Sequence, residues 1–162
     1  MIQNTFNWYN GEVFEAKFIL GFGLVLIIVS LLFYYFGNTP AAKALLIPLV
    51  ATGFIFTAIG GNMVYSNVKK IGSLQTQYEN NPSEFHQSEI KRVEDFQYLY
   101  PLSIGISLVS FLIALGLLYF VKNIHWQAVA MALILFGTAF AVIDYFSKER
   151  ASIYYNQLKG KE

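Results

Sequence analysis

Four apolar runs, broken by one long polar stretch, leave this chain few folds to choose from. Residues 18–36, 44–65 and 99–121 carry no charge, and residues 126–146 carry only Asp144. About 20 apolar residues in a helix cross the roughly 30 Å hydrocarbon core of a bilayer, so each run reads as one spanning helix. The composition agrees: 56% of residues are hydrophobic and 13% charged, with a mean hydropathy of +0.48. Soluble domains carry about 25% charged residues. A chain of 162 residues cannot bury that much apolar surface within itself, so lipid must cover part of it.

The polar stretch between the second and third runs, residues 66–97, reads as a connector joining two helix hairpins. Asn81-Pro82-Ser83-Glu84 is a helix start, with Asn81 as cap, Pro82 first in the helix and Glu84 placed to reach back to the cap. Ile90, Val93, Phe96 and Tyr100 then recur at helical spacing, and Glu89–Arg92 and Lys91–Asp95 are placed to pair along the helix. The helix is expected to run into the third span with a bend near Pro101. Val64, Val68, Ile71 and Tyr78 extend the second span in the same way, so the connector is predicted to be a helical hairpin tipped by Glu79-Asn80-Asn81. A stripe lying flat at the interface is the alternative.

Before the first run, Phe6, Trp8, Tyr9 and Phe14 predict a short segment at the membrane–water boundary, where aromatic rings prefer to sit. Asn10 is a candidate cap there, with Glu12 in the turn that follows. The first run is too long, and too poor in preceding basic residues, to read as a cleaved signal peptide. Gly37-Asn38-Thr39-Pro40 and Lys122-Asn123-Ile124-His125 are the two hairpin turns. Residues 147–162 form a polar, helix-compatible tail in which Ile153, Tyr154 and Leu158 can share a face.

Small residues at four-residue spacing let helix backbones approach closely in lipid. Gly53, Thr57 and Gly61 form such a stripe in the second run, and Gly137 and Ala141 form a pair in the fourth. Sliding the chain against itself by 84 residues superposes the hairpins without a gap. Gly21 then meets Gly105, Tyr35-Phe36 meets Tyr119-Phe120, Gly53 meets Gly137, Phe56 meets Phe140 and Leu74 meets Leu158. The expected architecture is one all-α membrane domain over residues 1–162, an antiparallel four-helix bundle built from two tandem hairpin repeats.

Lys and Arg favour the cytoplasmic side. Lys17, Lys69, Lys70, Lys91, Arg92, Lys148, Arg150, Lys159 and Lys161 lie on the termini and connector, against Lys43 and Lys122 on the turns. Both termini and the connector are therefore expected in the cytoplasm.

The chemistry is sparse. The net charge of +1 points to no nucleic-acid partner and no acidic substrate. The chain has no cysteine, which removes disulfides and thiolate chemistry. His86 and Glu89 share a helix face, but His125 is predicted at the opposite end, so neither a metal site nor a cofactor is expected. Asp144 is the one acid inside an apolar run, a functional suspect by default. Its depth near the boundary, with Lys148 one turn on, also suits structural pairing. Asn62 lies at a comparable depth and is a candidate to face it.

Three segments resemble a family of small, uncharacterised bacterial four-span membrane proteins. These are Ile47-Pro48-Leu49 with Gly53, Gly60-Gly61 and Tyr65; Asn81-Pro82 to Phe85 with Glu89-Ile90-Lys91-Arg92-Val93-Glu94 and Phe96; and Asp144-Tyr145-Phe146 with Glu149-Arg150 and Tyr154. Lys91 and Val93 depart from the pattern, which often has Pro and Met there. The resemblance implies a bacterial inner-membrane protein and carries no activity. It directs attention to a polar set near the cytoplasmic boundary: Glu89, Arg92, Glu94, Asp144, Glu149 and Arg150. The first functional reading is a non-catalytic membrane protein that binds or regulates a membrane or cytoplasmic protein. A small oligomeric transporter or channel, with Asp144 and Asn62 at its inner mouth, is the alternative. A membrane enzyme acting on lipid headgroups through Glu89, Arg92, Asp144 and Arg150 is the third.

Overall fold

A computed structural model describes residues 2–160; Lys161, one of the basic residues counted above, lies outside them. The described chain is a helical bundle. Its helices are α1 (Ile2–Phe36), α2 (Pro40–Ala44), α3 (Leu46–Asn80), α4 (Pro82–Phe96), α5 (Leu99–Phe120) and α6 (Ile124–Leu158). Four helical segments are long and apolar enough to cross a membrane: α1, α2 with α3, α4 with α5, and α6.

Local chemistry fixes the breaks. Thr39 caps α2 through its Oγ1, which accepts from the Ala42 N–H at 3.2 Å, and Pro40 opens the helix. Asn123 caps α6, accepting from the His125 N–H at 2.9 Å. Asn81 caps α4, accepting from the Glu84 N–H at 3.1 Å. The Asn81 side-chain amide, rather than its backbone N–H, donates to Glu84 Oε2 at 3.1 Å, because that backbone N–H is already held by the Gln77 carbonyl. The bend expected at Pro101 falls earlier, at Gln97 and Tyr98. Proline has no N–H for the carbonyl four residues back and crowds it, and that residue is Gln97. The Gln97 carbonyl takes the Tyr100 N–H at 3.3 Å instead, a tighter turn that ends one helix and starts the next.

Residues 2–17 differ from expectation. They do not form a separate boundary segment, and Asn10 caps nothing, because α1 is continuous from Ile2 to Phe36. Thr5, Tyr9, Val13, Ala16, Ile19, Gly23, Leu26 and Ser30 form one buried stripe along it. Packing of that stripe against the other helices overrides the local cap signal. Over the described residues the polar tail likewise forms no separate element: α6 runs on to Leu158.

α1 packs along α3, and α5 along α6; α6 also touches α1, α3 and α4. At 1.5 Å per residue the 35-residue helices α1, α3 and α6 are each about 50 Å long. That is about 20 Å more than the roughly 30 Å needed to cross a hydrocarbon core. All three overhangs lie at one end of the bundle, together with α4. They share an aromatic core there, built from Trp8, Tyr9, Phe85, Val93, Tyr100 and Tyr154 among others. A second, smaller core around Ile19, Leu26 and Phe56 lies along the apolar stretches. Many aliphatic side chains there face outward, Leu112 and Leu115 among them, as suits contact with lipid.

Glycines set how closely α1 and α3 approach. A Cβ on Gly53 would stand 2.8 Å from the Gly23 carbonyl, and one on Gly23 would stand 2.5 Å from the Thr57 amide. Gly60 meets the backbone of Ala16 and Leu20. Gly61, expected in this stripe, faces open space. Steps of four residues drift round a helix of 3.6 residues per turn, whereas a step of seven, Gly53 to Gly60, nearly closes two turns. Gly137 approaches the Ser107 carbonyl across the α5–α6 contact, while Ala141 is half-buried. Ser30, Ser110 and Thr138 donate to carbonyls of their own helices, and the buried Thr57 Oγ1 has no partner. Gly60→Leu should therefore force α1 and α3 apart and lower stability by about 1–3 kcal/mol, while Gly61→Leu leaves it nearly unchanged. Melting temperatures of the two variants in detergent test this; equal effects would refute the assignment.

Candidate functional site

The polar end of the bundle is organised around one carboxylate. Glu89 sits on α4, one turn beyond Phe85 and one before Val93, on the face that packs into the aromatic core. It is 1% exposed. A buried carboxylate is costly unless it is paired and hydrogen-bonded, and three side chains meet the demand with four hydrogen bonds. Arg92, one turn along, donates from Nε at 3.1 Å and from a terminal nitrogen at 2.9 Å. The Tyr154 hydroxyl of α6 donates at 3.1 Å and is also 3.0 Å from the Thr5 hydroxyl. The Tyr9 hydroxyl of α1 donates at 3.3 Å. Burial pushes the pKa of both phenols up, so each keeps its proton and remains a donor. Three helices are thus joined through one side chain.

Trp8 lies beside this network. Its ring stacks on Tyr154 with centroids 5.0 Å apart and planes 11° apart. The guanidinium of Arg92 lies 5.9 Å from the Trp8 ring centre and that of Arg150 lies 5.7 Å from it, both within cation–π range. Arg92 is also 4.8 Å from the centre of the Tyr9 ring.

Arg150, on α6, holds two carboxylates of α1. One terminal nitrogen donates to Glu12 at 2.5 Å and also to Glu15. A single guanidinium cannot fully offset two partly buried carboxylates. Burial raises the Glu12 pKa from the usual 4.5 to about 7; Arg150 works against that rise and Glu15 adds to it. Glu15 is raised too, again chiefly by burial.

The sequence-predicted polar set divides into five places. Glu89 and Arg92 form the buried pair. Arg150 joins the same aromatic cluster through Trp8 but pairs with α1. Glu94 lies on the outside, bonded to the Tyr155 hydroxyl and, at 3.0 Å, to Lys159; those two bonds hold its carboxyl below the usual range. Glu149 is exposed. Asp144 meets the Ser103 hydroxyl. Lys148 acts on Asp144 only from beyond ion-pair distance, so the expected pairing is replaced by a contact to α5. Asn62 is exposed and does not share the cavity that Asp144 lines. Lys91 and Asp95 both face outward and form no ion pair. His86 bonds the Leu158 carbonyl at 2.7 Å, anchoring α4 to the end of α6.

Sequence reasoning missed Thr5, Tyr9, Glu12, Glu15 and Tyr154 as members of these networks. A signal was present in part. Thr5, Tyr9, Glu12, Ala16 and Ile19 recur at three- and four-residue steps into the first span, but their mixed polarity disguises the stripe. No protein family, curated protein or solved structure matches this chain.

Two outcomes follow. Glu89→Ala strands Arg92 and two phenols and should cost about 3–5 kcal/mol; adding Arg92→Met should recover part of the loss, because the uncompensated cation is gone. Chemical denaturation of both variants in detergent measures this, and a double variant no better than the single would contradict the pairing. The second concerns pH. The folded state holds the Glu12 proton up to about pH 7, whereas the unfolded chain releases it near 4.5. The unfolded state therefore binds fewer protons in that window, and the Glu12 contribution to stability falls as pH rises through it. Glu12→Gln should flatten the fall in melting temperature between pH 4.5 and 7; an unchanged slope would assign it elsewhere.

Proposed function

We propose that this chain is a non-catalytic integral membrane protein, with both termini and the α3–α4 hairpin in the cytoplasm, that binds a protein partner through the outer face of α4. The reading rests on one observation: the buried acid and the arginines of the overhanging polar end are bound to groups of the protein itself. They are engaged by Tyr9, Tyr154, Glu12, Glu15 and Trp8. A catalytic centre keeps groups free for substrate; this one binds its own together, which favours a rigid platform. What α4 leaves outward is a mixed-charge stripe at helical spacing, Glu84, Ser88, Lys91 and Asp95, suited to a partner with charges of both signs.

The charge asymmetry of the sequence supports the cytoplasmic placement, and the four long apolar helices support insertion. Two tandem repeats belong to the same proposal. Phe56 and Phe140, equivalent under the 84-residue offset, meet with ring centroids 6.2 Å apart, as residues near a pseudo-two-fold axis would. Leu74 and Leu158 share the polar-end core. Kinship with small bacterial four-span inner-membrane proteins rests on the motifs given above.

A photo-crosslinking residue at Ser88, irradiated in native membranes, should give a discrete adduct that the variant Lys91→Glu with Asp95→Lys loses. The same probe at Tyr119, at the opposite end, should give none. No adduct at Ser88, or one indifferent to the charge swap, would overturn the proposal.

A further inference from the structure

The two hairpins do not close fully on each other. α5 packs chiefly on α6, and a cavity of about 310 Å³ opens between the α5–α6 pair and the α1–α3 pair. Its walls include Ile19, Phe56, Leu102 and Phe140, and at the end nearest the polar core they include Glu15 and Asp144. Glu15 and Asp144 are the only ionisable residues in the lining, and both are acids. Glu15 spends one oxygen on Arg150, and its Oε1 is buried with no partner.

We propose that this cavity binds a lipophilic monovalent cation, an apolar body carrying one shielded positive charge. The volume lies at the small end of the range for ligand sites, which are mostly apolar with a few placed polar groups. Charge selects the occupant. At the polar end of the cavity two acids, Glu15 and Asp144, stand near two bases, Arg150 and Lys148. Arg150 is held by Glu12 and Glu15. Lys148 is exposed and does not reach ion-pair distance of Asp144. Asp144 is therefore left without an ion-pair partner, and in surroundings of low dielectric its charge acts strongly. A neutral acyl chain answers neither Glu15 Oε1 nor Asp144, and a phospholipid would bring its phosphate beside two acids. A bulky cation with weak hydration meets both the apolar walls and the carboxylates, and it loses little solvation on entry.

Equilibrium dialysis of the purified full chain in dodecyl maltoside tests this with tetraphenylphosphonium, and with tetraphenylborate as the anion of the same shape. The cation should bind saturably at one equivalent and the anion should not. Asp144→Asn, nearly isosteric, should weaken cation binding about tenfold or more, the loss expected from removing one nearby charge. Leu102→Trp, at a partly exposed wall position that tolerates a larger side chain, should abolish binding by filling the space. Melting temperatures confirm that each variant is folded, and Leu102→Trp carries the test should Asp144→Asn not fold. Equal binding of the two ions, saturable binding untouched by a folded variant, or no saturable binding of the cation would each overturn the proposal. None of these outcomes bears on the α4 partner face, which lies outside the cavity.

Discussion

The polar end of this protein depends on the cost of burying Glu89. A carboxylate removed from water is tolerated only when donors surround it, and α4 alone supplies just one, Arg92. The rest come from α1 and α6. That requirement aligns the three helices lengthwise as well as sideways, since Tyr9, Glu89 and Tyr154 must arrive at the same height. Aromatic packing then fills the space around the pair, with Trp8 stacked on Tyr154 and flanked by two guanidinium groups. In lipid, helices gain little from hiding apolar surface between them. The polar end, with its specific contacts, supplies what the apolar stretches do not.

Along the apolar stretches a different device operates. Gly23, Gly53 and Gly60 bring the α1 and α3 backbones together, where dispersion forces are gained only at close range. The α5–α6 pair uses Gly137 in the same role. Between the pairs the helices hold bulky residues such as Phe56 and Phe140, which keep the hairpins apart and leave the cavity that Asp144 borders. Tight pairs and a loose seam thus follow from where the glycines stand.

Much of the fold was legible because the apolar runs are long and the caps are local. Thr39, Asn81 and Asn123 each act within three residues, so the helix starts could be read from neighbouring positions. The N-terminal segment was not legible in the same way. Asn10 and Glu12 make a plausible helix start on their own, but α1 passes through them because Thr5, Tyr9 and Val13 find partners on other helices. Gly61 shows a similar limit: a four-residue pattern named the right face of α3 and missed the residue in contact, because the stripe drifts as the helix turns.

The sequence by itself determined four apolar helices, their hairpin turns, the capped start of α4, and the Glu89–Arg92 spacing that brings that pair together. These are short-range matters, settled by residues within a turn or two of each other. Only the tertiary structure decided that Arg150 reaches Glu12 and Glu15, that Tyr9 and Tyr154 complete the shell around Glu89, and that Asp144 turns to Ser103 rather than Lys148. Those partners lie 41 to 138 residues apart. Which of several nearby donors a buried carboxylate takes depends on how the helices are rotated and offset, and that is fixed by the packing of the whole bundle.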